Sequence, residues 1–370
     1  MAPIPHALTH GQGQRRNWLL RSAAVAAAFL AETAGAQTDY IAQYGLQAAS
    51  ADLELGIQPL GFPSGVVSAV MRRDRILQGA LVQRKTPLRS FAFRRGADML
   101  PLLADQRLDA GLLGDMPTLL TAANGDVWIV GLVKQTATAL ISRNNMVAGQ
   151  LAGKRIGFVE ASSAHLTVLQ GLQAAGLNEQ QVQLVAMGVA DMPQALEDGT
   201  VDAFAAWEPY TTIALNRNPR NHVVFRGAST DYFVISRSFA RQQPQSALAL
   251  VAGFVRALEW MRESQGNLEQ AARWAMAESS TFSGAAPALS SAQVRAITRR
   301  ELLDIPSAPA LLDGAGPPRL KAEFEFLRRL GKLPTTAGWA QVESALSYDG
   351  LAIVQSDERR YQLHTYDYQP

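Results

Sequence analysis

The chain repeats itself. Asp98-Met99-Leu100-Pro101-Leu102-Leu103 leads to Leu108-Asp109-Ala110-Gly111 and then to Gly114-Asp115-Met116-Pro117. Further on, Asp191-Met192-Pro193-Gln194-Ala195-Leu196 leads to Val201-Asp202-Ala203-Phe204 and then to Trp207-Glu208-Pro209. A shift of 93 positions superposes Asp98, Met99, Leu103, Asp109 and Ala110 on Asp191, Met192, Leu196, Asp202 and Ala203. Each copy reads as a helix, a turn, a buried strand and a polar loop at the strand's carboxyl end. Such a repeat points to two lobes built alike, each aiming a loop at a shared cleft. The competing reading is two ordinary βα units whose match is chance.

A chain of 370 residues is comfortable for two domains, and 48% apolar content is globular. The N-terminus reads as an export signal over residues 1–36. Arg15-Arg16 precede an apolar run from Ala23 to Leu30, and Ala34-Gly35-Ala36 offers small residues for cleavage. The run is too short for a stable membrane span. The arginine pair with Trp18 and Leu19 fits a twin-arginine signal or a general secretory one. Cleavage after Ala36 removes three arginines and one glutamate, and with them the whole formal charge of +2. A neutral mature chain without a basic tract carries no electrostatic footprint for nucleic acid. The absence of cysteine excludes disulfides, thiolate catalysis, cysteine metal sites and a lipid-modified N-terminal cysteine. These features predict a soluble exported protein rather than a tethered one.

Strands are expected at 53–57, 110–113, 127–133, 155–159, 182–185, 203–206, 223–225 and 232–236. Helices are expected at 64–71, 98–104, 115–123, 163–175, 192–196 and just after Pro209. Their alternation argues for parallel sheets in α/β lobes. From Pro244 the pattern turns helical, over 247–263, 268–276, 292–303 and 320–330. Pro306 to Pro318 reads as loop. The domains expected are 37–143 as the first part of lobe 1, 144–235 as lobe 2, and 236–346 completing lobe 1. Residues 347–370 read as a tail or a peripheral strand of unknown role.

Several segments, in their order and spacing, resemble a known family. They are Gly56-Ile57-Gln58-Pro59, Gly114-Asp115-Met116-Pro117, Leu151-Ala152-Gly153-Lys154-Arg155-Ile156-Gly157, Ser162-Ser163-Ala164-His165, and Asp202 through Pro209. The chain resembles the periplasmic substrate-binding proteins of ABC importers in the sulfonate/nitrate/taurine group, which share a fold with thiamine-pyrimidine-precursor binding proteins. The resemblance covers roughly 51–265 well and the later helices loosely. It implies a two-lobed periplasmic-binding-protein fold, with two mostly parallel sheets flanked by helices and a ligand cleft between the lobes. It implies crossover segments near 140–150 and 230–240, C-terminal helices packed back on lobe 1, and an ABC permease with its ATPase as partners. The stretch from Ser347 departs from the family.

An oxyanion needs hydrogen-bond donors and local positive potential, which helix N-termini supply. Ser162 and Ser163 sit where such a helix starts, although serines also cap helices everywhere. Gly61 and Phe62 occupy the equivalent turn in lobe 1. Gln58 ends the first strand and reads either as a cleft donor or as a solvent-facing amide. Asp115, beside Met116, and Glu208 occupy matching loops. They are poor direct contacts for an anion, suited to capping, but able to receive the amine of a zwitterion. Trp207 reads as an apolar wall for the ligand body or as a core residue. His165 reads as a cleft residue or as a structural histidine.

No catalytic set is present: no Gly-x-Ser-x-Gly turn, no phosphate loop, and no two histidines at metal-ligand spacing beyond His6 and His10 in the export signal. No cofactor or metal is expected, and the protein reads as a non-enzyme. The reading is a monomeric binding protein for a small anionic or zwitterionic ligand, above all an aliphatic sulfonate, delivered to an ABC permease. Nitrate, a pyrimidine or an aromatic carboxylate are alternatives. So is an exported enzyme on the same fold.

Overall fold

The structure is a computed structural model, and it describes residues 51–305, 308–309 and 319–369. The export signal and the leader to residue 50 lie outside the described residues, as do 306–307 and most of the Pro-rich loop after them. The described residues hold eight strands: β1 Leu53–Ile57, β2 Leu88–Ala92, β3 Ala110–Gly114, β4 Val127–Ser142, β5 Arg155–Phe158, β6 Gln183–Ala186, β7 Ala203–Ala206 and β8 His222–Ser236. The helices of the α/β part are α1 Ser64–Met71, α2 Arg75–Gln83, α3 Leu100–Ala104, α4 Asp115–Asn124, α5 Ser163–Ala174, α6 Met192–Glu197 and α7 Tyr210–Arg217. The later ones are α8 Arg237–Gln242, α9 Pro244–Glu263, α10 Gln265–Ser283, α11 Ser291–Thr298, α12 Arg319–Arg329, α13 Trp339–Glu343 and α14 Asp349–Ser356. A π-helical turn, Arg299–Leu303, follows α11.

The strands form one sheet in the order β2-β1-β3-β8-β4-β7-β5-β6. Two sheets were expected; hydrogen bonding joins them into one. The joint is the ribbon of β4 and β8, which are 16 and 15 residues long and run antiparallel through both halves. On one side of it β2, β1 and β3 are parallel to one another. On the other side β7, β5 and β6 are parallel. Each half is thus the α/β lobe the repeat predicts, closed against a shared antiparallel ribbon.

The sequence suggested shorter strands at 127–133, 223–225 and 232–236. The ribbon continues through Lys134-Gln135-Thr136 and Arg226 to Asp231, whose polar side chains break the apolar pattern. Those residues form the neck between the halves. The segment α2–β2 was not anticipated either. α2 is fixed by the Asp74 carboxylate, which accepts the Leu77 N–H at 3.0 Å. β2 is an outer strand with only Phe91 buried, so its pattern is weak.

Burial follows strand period. In the β7 half, Ala139, Ile141, Phe204 and Ala206 join one apolar cluster. Leu140, Ala203, Ala205, Ile156 and Phe158 join another on the opposite face, under α5. α5 lies so close to β8 that a Cβ on Gly227 would sit 2.1 Å from Thr167 Oγ1, so only glycine fits there. In the β1 half the large core joins β1 and α1 to α9 and α10 through Val67, Phe233, Phe254 and Leu258.

The C-terminal chain also closes the open edge of β4. Ile129 N–H donates to Ala345 O at 2.8 Å, Ser347 N–H to Ile129 O at 2.9 Å, and Leu132 N–H to Pro309 O at 3.0 Å. Covering an edge removes a template for intermolecular pairing. The stretch from Ser347 is docked: Leu351 and Val354 of α14 are buried, and the Tyr368 ring packs tilted against Trp260 with centroids 4.5 Å apart. Arg256 is 1% exposed, bonds Asp74 at 2.6 Å and donates to Tyr361 O at 2.8 Å, tying that stretch to the core.

Candidate functional site

Four strands, β1, β3, β5 and β7, each lead into a helix, and the four helix starts converge on the neck of the β4–β8 ribbon. At α1, Ser64 Oγ donates to Asp231. At α4, the Asp115 carboxylate accepts Met116 N–H at 2.8 Å and Thr230 N–H at 3.3 Å. At α5, Thr138 Oγ1 donates to Ser163 Oγ at 3.3 Å. At α7, Glu208 accepts Thr212 N–H at 3.1 Å and Thr212 Oγ1 at 2.9 Å. Phe62 N–H approaches Glu208 O at 3.5 Å, so the first and fourth starts touch. The helix dipoles of these starts favour negative charge between them.

The residues singled out from sequence take distinct parts. Gln58 donates through Nε2 to Leu112 O at 2.9 Å, and Gly61 N–H closes a turn onto Gln58 O. Phe62 and Met116 are buried. Ser162 is the N-cap of α5: it accepts Ala164 N–H at 3.1 Å and His165 N–H at 3.3 Å, and donates to Val159 O at 2.6 Å. Its hydroxyl is therefore committed to capping. Ser163 Oγ accepts from Thr138 and keeps its own proton to donate. Trp207 is half-buried against the apolar cluster under α5.

His165 is enclosed. Its ring lies 4.5 Å from that of Phe158 and 5.4 Å from that of Phe326 of α12, and Ala161 N–H donates to Nδ1 at 3.4 Å. Burial lowers its pKa, so the ring is held neutral. Lys332, just beyond α12, reaches Glu160 at 3.0 Å. α12 also packs on α4, so this helix spans both halves beside the α4 and α5 starts.

The sequence reading placed no lysine or arginine at these loops. The fold brings them from elsewhere. Lys134, in the ribbon, is 3% exposed and lies 3.4 Å from Asp231. Burial disfavours its charge, but Asp231, Glu301 and Asp115 outweigh that and raise its pKa. Burial, with Asp231 adding, pushes Asp115 to about 7. Glu301 is 2% exposed and raised chiefly by burial. Arg300, from the π-turn, donates to Glu301 at 2.7 Å and to Glu208 at 3.0 Å. Arg94, after β2, is near enough to Tyr210 to counter in part the burial that lifts that hydroxyl to about 12. A lysine closing the apolar run Val127–Val133 was the one legible sign of this network; Arg94 and Arg300 carry no local signal.

Two α/β halves joined by a shared antiparallel ribbon, with four helix starts gathered on it, define the class: a mixed α/β fold of the periplasmic-binding-protein type. The chain belongs to the NMT1-like family, whose model matches residues 92–276, half of its length. It is 29% identical over 165 residues to an aliphatic sulfonates-binding protein of Escherichia coli strain K12. That match spans 42% of this chain and 50% of the relative, so the chain spans about half the length of that curated relative. Its fold matches the alkanesulfonate-binding protein SsuA of Xanthomonas axonopodis pv. citri bound to MOPS, with a TM-score of 0.60 and 22% identity. That match covers 82% of this chain and 100% of the other. The desulfurization enzyme DszB shares the fold at a TM-score of 0.58 and 16% identity, over 83% of this chain and 99% of its own. No helix among the described residues is long and apolar enough to cross a membrane.

Proposed function

We propose that the chain is a periplasmic binding protein for a small organic oxyanion, an aliphatic sulfonate before others, which it delivers to an ABC permease and its ATPase. The observation that carries this reading is the convergence of four helix starts on one polar neck. A sulfonate is anionic throughout the physiological pH range, so it needs donors and positive potential but no proton acceptor. Ser163 Oγ supplies a side-chain donor at the α5 start, and Gln58 lies on the lobe-1 side of the cleft. Trp207 offers apolar surface to an alkyl body. The likeness to the sulfonate-binding proteins supports the same ligand class. The protein acts as a monomer, without cofactor or turnover, and closure of the lobes is driven by the closed state's tighter grip on ligand.

Thermal-shift titration tests this. A ligand that binds only the folded state raises the melting temperature with its concentration over its Kd. Ethanesulfonate, longer alkanesulfonates and taurine should give one graded series, against nitrate, pyrimidines and aromatic carboxylates. A strong series only among the latter replaces the ligand class. The likeness to DszB keeps an enzyme as the second reading, and product formed from any ligand of the panel establishes it.

A further inference from the structure

We infer that the end of the β4–β8 ribbon away from the neck carries a second binding site, an arginine-lined cavity for a small phosphate ester. This goes beyond the sulfonate reading and does not rest on it. The cavity holds about 420 Å³, within the roughly 300–1,000 Å³ of small-molecule pockets. Arg237 and Arg241 of α8 line it, with Asp126, Gln106 and the apolar Leu103 and Ala104. It lies beside the pairing of Val127 with Ser236, and Lys134 stands further along β4, at the neck. At the rise of a strand that is about 20 Å.

Arg237 is held in place without being neutralised. Its guanidinium carbon lies 4.0 Å from the centroid of the Trp128 ring, and Nε donates to Val127 O at 3.0 Å. Nη2 is enclosed and has no hydrogen-bond partner among the described residues. Burial and the charge of Arg241 both disfavour this cation; Asp126 offsets them only in part. Arg241 stands four residues on, on the same face of α8, where like charges repel. It is exposed, and among the described residues it makes neither a hydrogen bond nor an ion pair. The wall is braced: Gln242 Nε2 donates to Ser238 Oγ at 3.0 Å, and Ser238 Oγ to Gln106 Oε1 at 2.9 Å. Two guanidinium groups answered by one acid attract an anion of more than one charge. A phosphate monoester carries about two charges near neutral pH. Arg241 supplies the direct contact, Arg237 the fixed charge behind it, and Leu103 and Ala104 a surface for the organic part.

Titration calorimetry of the full chain with glycerol phosphate, at constant ionic strength, tests this. The wild type should bind it and should not bind glycerol. Arg241→Gln should weaken binding about fivefold, the worth of one exposed charged contact, and leave the melting temperature unchanged. Asp126→Asn should act the other way and tighten binding about twofold, because it removes the acid that competes for the arginines. A wild type that does not bind glycerol phosphate, or equal affinity in all three proteins, overturns the inference. Lactate, with a single charge, binding as tightly overturns the phosphate class. Displacement of glycerol phosphate by ethanesulfonate would put it at the neck and overturn the second site. Each of these results leaves the sulfonate reading standing, since Arg241 and Asp126 belong to none of the four helix starts.

Discussion

Asp109 and Asp202 hold the same place in the two halves of the molecule, yet their charges meet opposite surroundings. Each stands just before a strand, β3 or β7, and its carboxylate accepts a backbone N–H from the neighbouring parallel strand. Glu54 N–H reaches Asp109 at 2.9 Å, and Arg155 N–H reaches Asp202 at 3.1 Å. Burial then pushes Asp109 up to about 6, and the Glu54 bond offsets only part of it. Burial also opposes ionisation of Asp202, but hydrogen bonds from Arg155 and Arg143 outweigh it and bring the group to about 2. Arg143 lies at 2.7 Å and the Arg155 Nε at 3.2 Å. The repeat fixes a backbone bond, and the side chains around it decide whether the charge is welcome.

Isosteric amides should separate the two sites most widely. Asp202→Asn keeps the shape but strips two arginines of their counter-charge, and should lower stability by about 2–3 kcal/mol. Asp109→Asn still offers Glu54 an acceptor and removes a buried charge. At pH 8 it should raise stability by about 1–3 kcal/mol, the energy of roughly two pKa units. Urea unfolding of the two variants at pH 8 decides it, and shifts of the same sign would break the comparison.

The pH dependence of the wild type is the next largest effect. The folded pKa of Asp109, about 6, lies above its ordinary value of 3.8. Its contribution is therefore fully present below about pH 4 and lost as pH rises through 6, up to about 3 kcal/mol. Asp202, at about 2, has the opposite sign. Its contribution stands above about pH 4 and is lost as pH falls through 2, by about 2 kcal/mol. The difference in unfolding free energy between Asp109→Asn and wild type, followed from pH 4 to 8, should rise with pH. A flat difference would show that Glu54, which burial also raises, carries the effect.

Two smaller predictions sharpen the contrast at the helix starts and between lobes. Ser162→Ala should lose about 1 kcal/mol of stability, as capping serines do. Ser163→Ala strands the buried Thr138 hydroxyl at a cost of about 1 kcal/mol as well, but should in addition weaken sulfonate binding about tenfold, one hydrogen bond. Binding lost in the first variant and kept in the second would reverse these roles. Lys332→Ala breaks an exposed pair to Glu160 and should change stability by less than about 0.5 kcal/mol. A larger drop in thermal unfolding would make that contact a true tie between the halves.

The sequence by itself determined the α/β alternation, most strand and helix positions, and the four loops that meet at the neck. It could do so because each rests on local signals: period, Gly and Pro punctuation, and serines or acids at helix starts. It left Asp115 and Glu208 two roles, capping backbone or receiving the amine of a zwitterion, and the fold shows both carboxylates accepting backbone N–H groups. Tertiary structure alone decided that the two sheets are one, since polar residues in the neck of β4 and β8 look like loop until both strands are paired. Only the fold made Ser162 a cap with no hydroxyl to spare, and closed Phe326 over His165. Above all, it brought Lys134, Arg94 and Arg300 beside the helix starts from a ribbon, a strand end and a π-turn far apart in sequence. A charge network depends on distance in space, and nothing in the order of residues along a chain measures that.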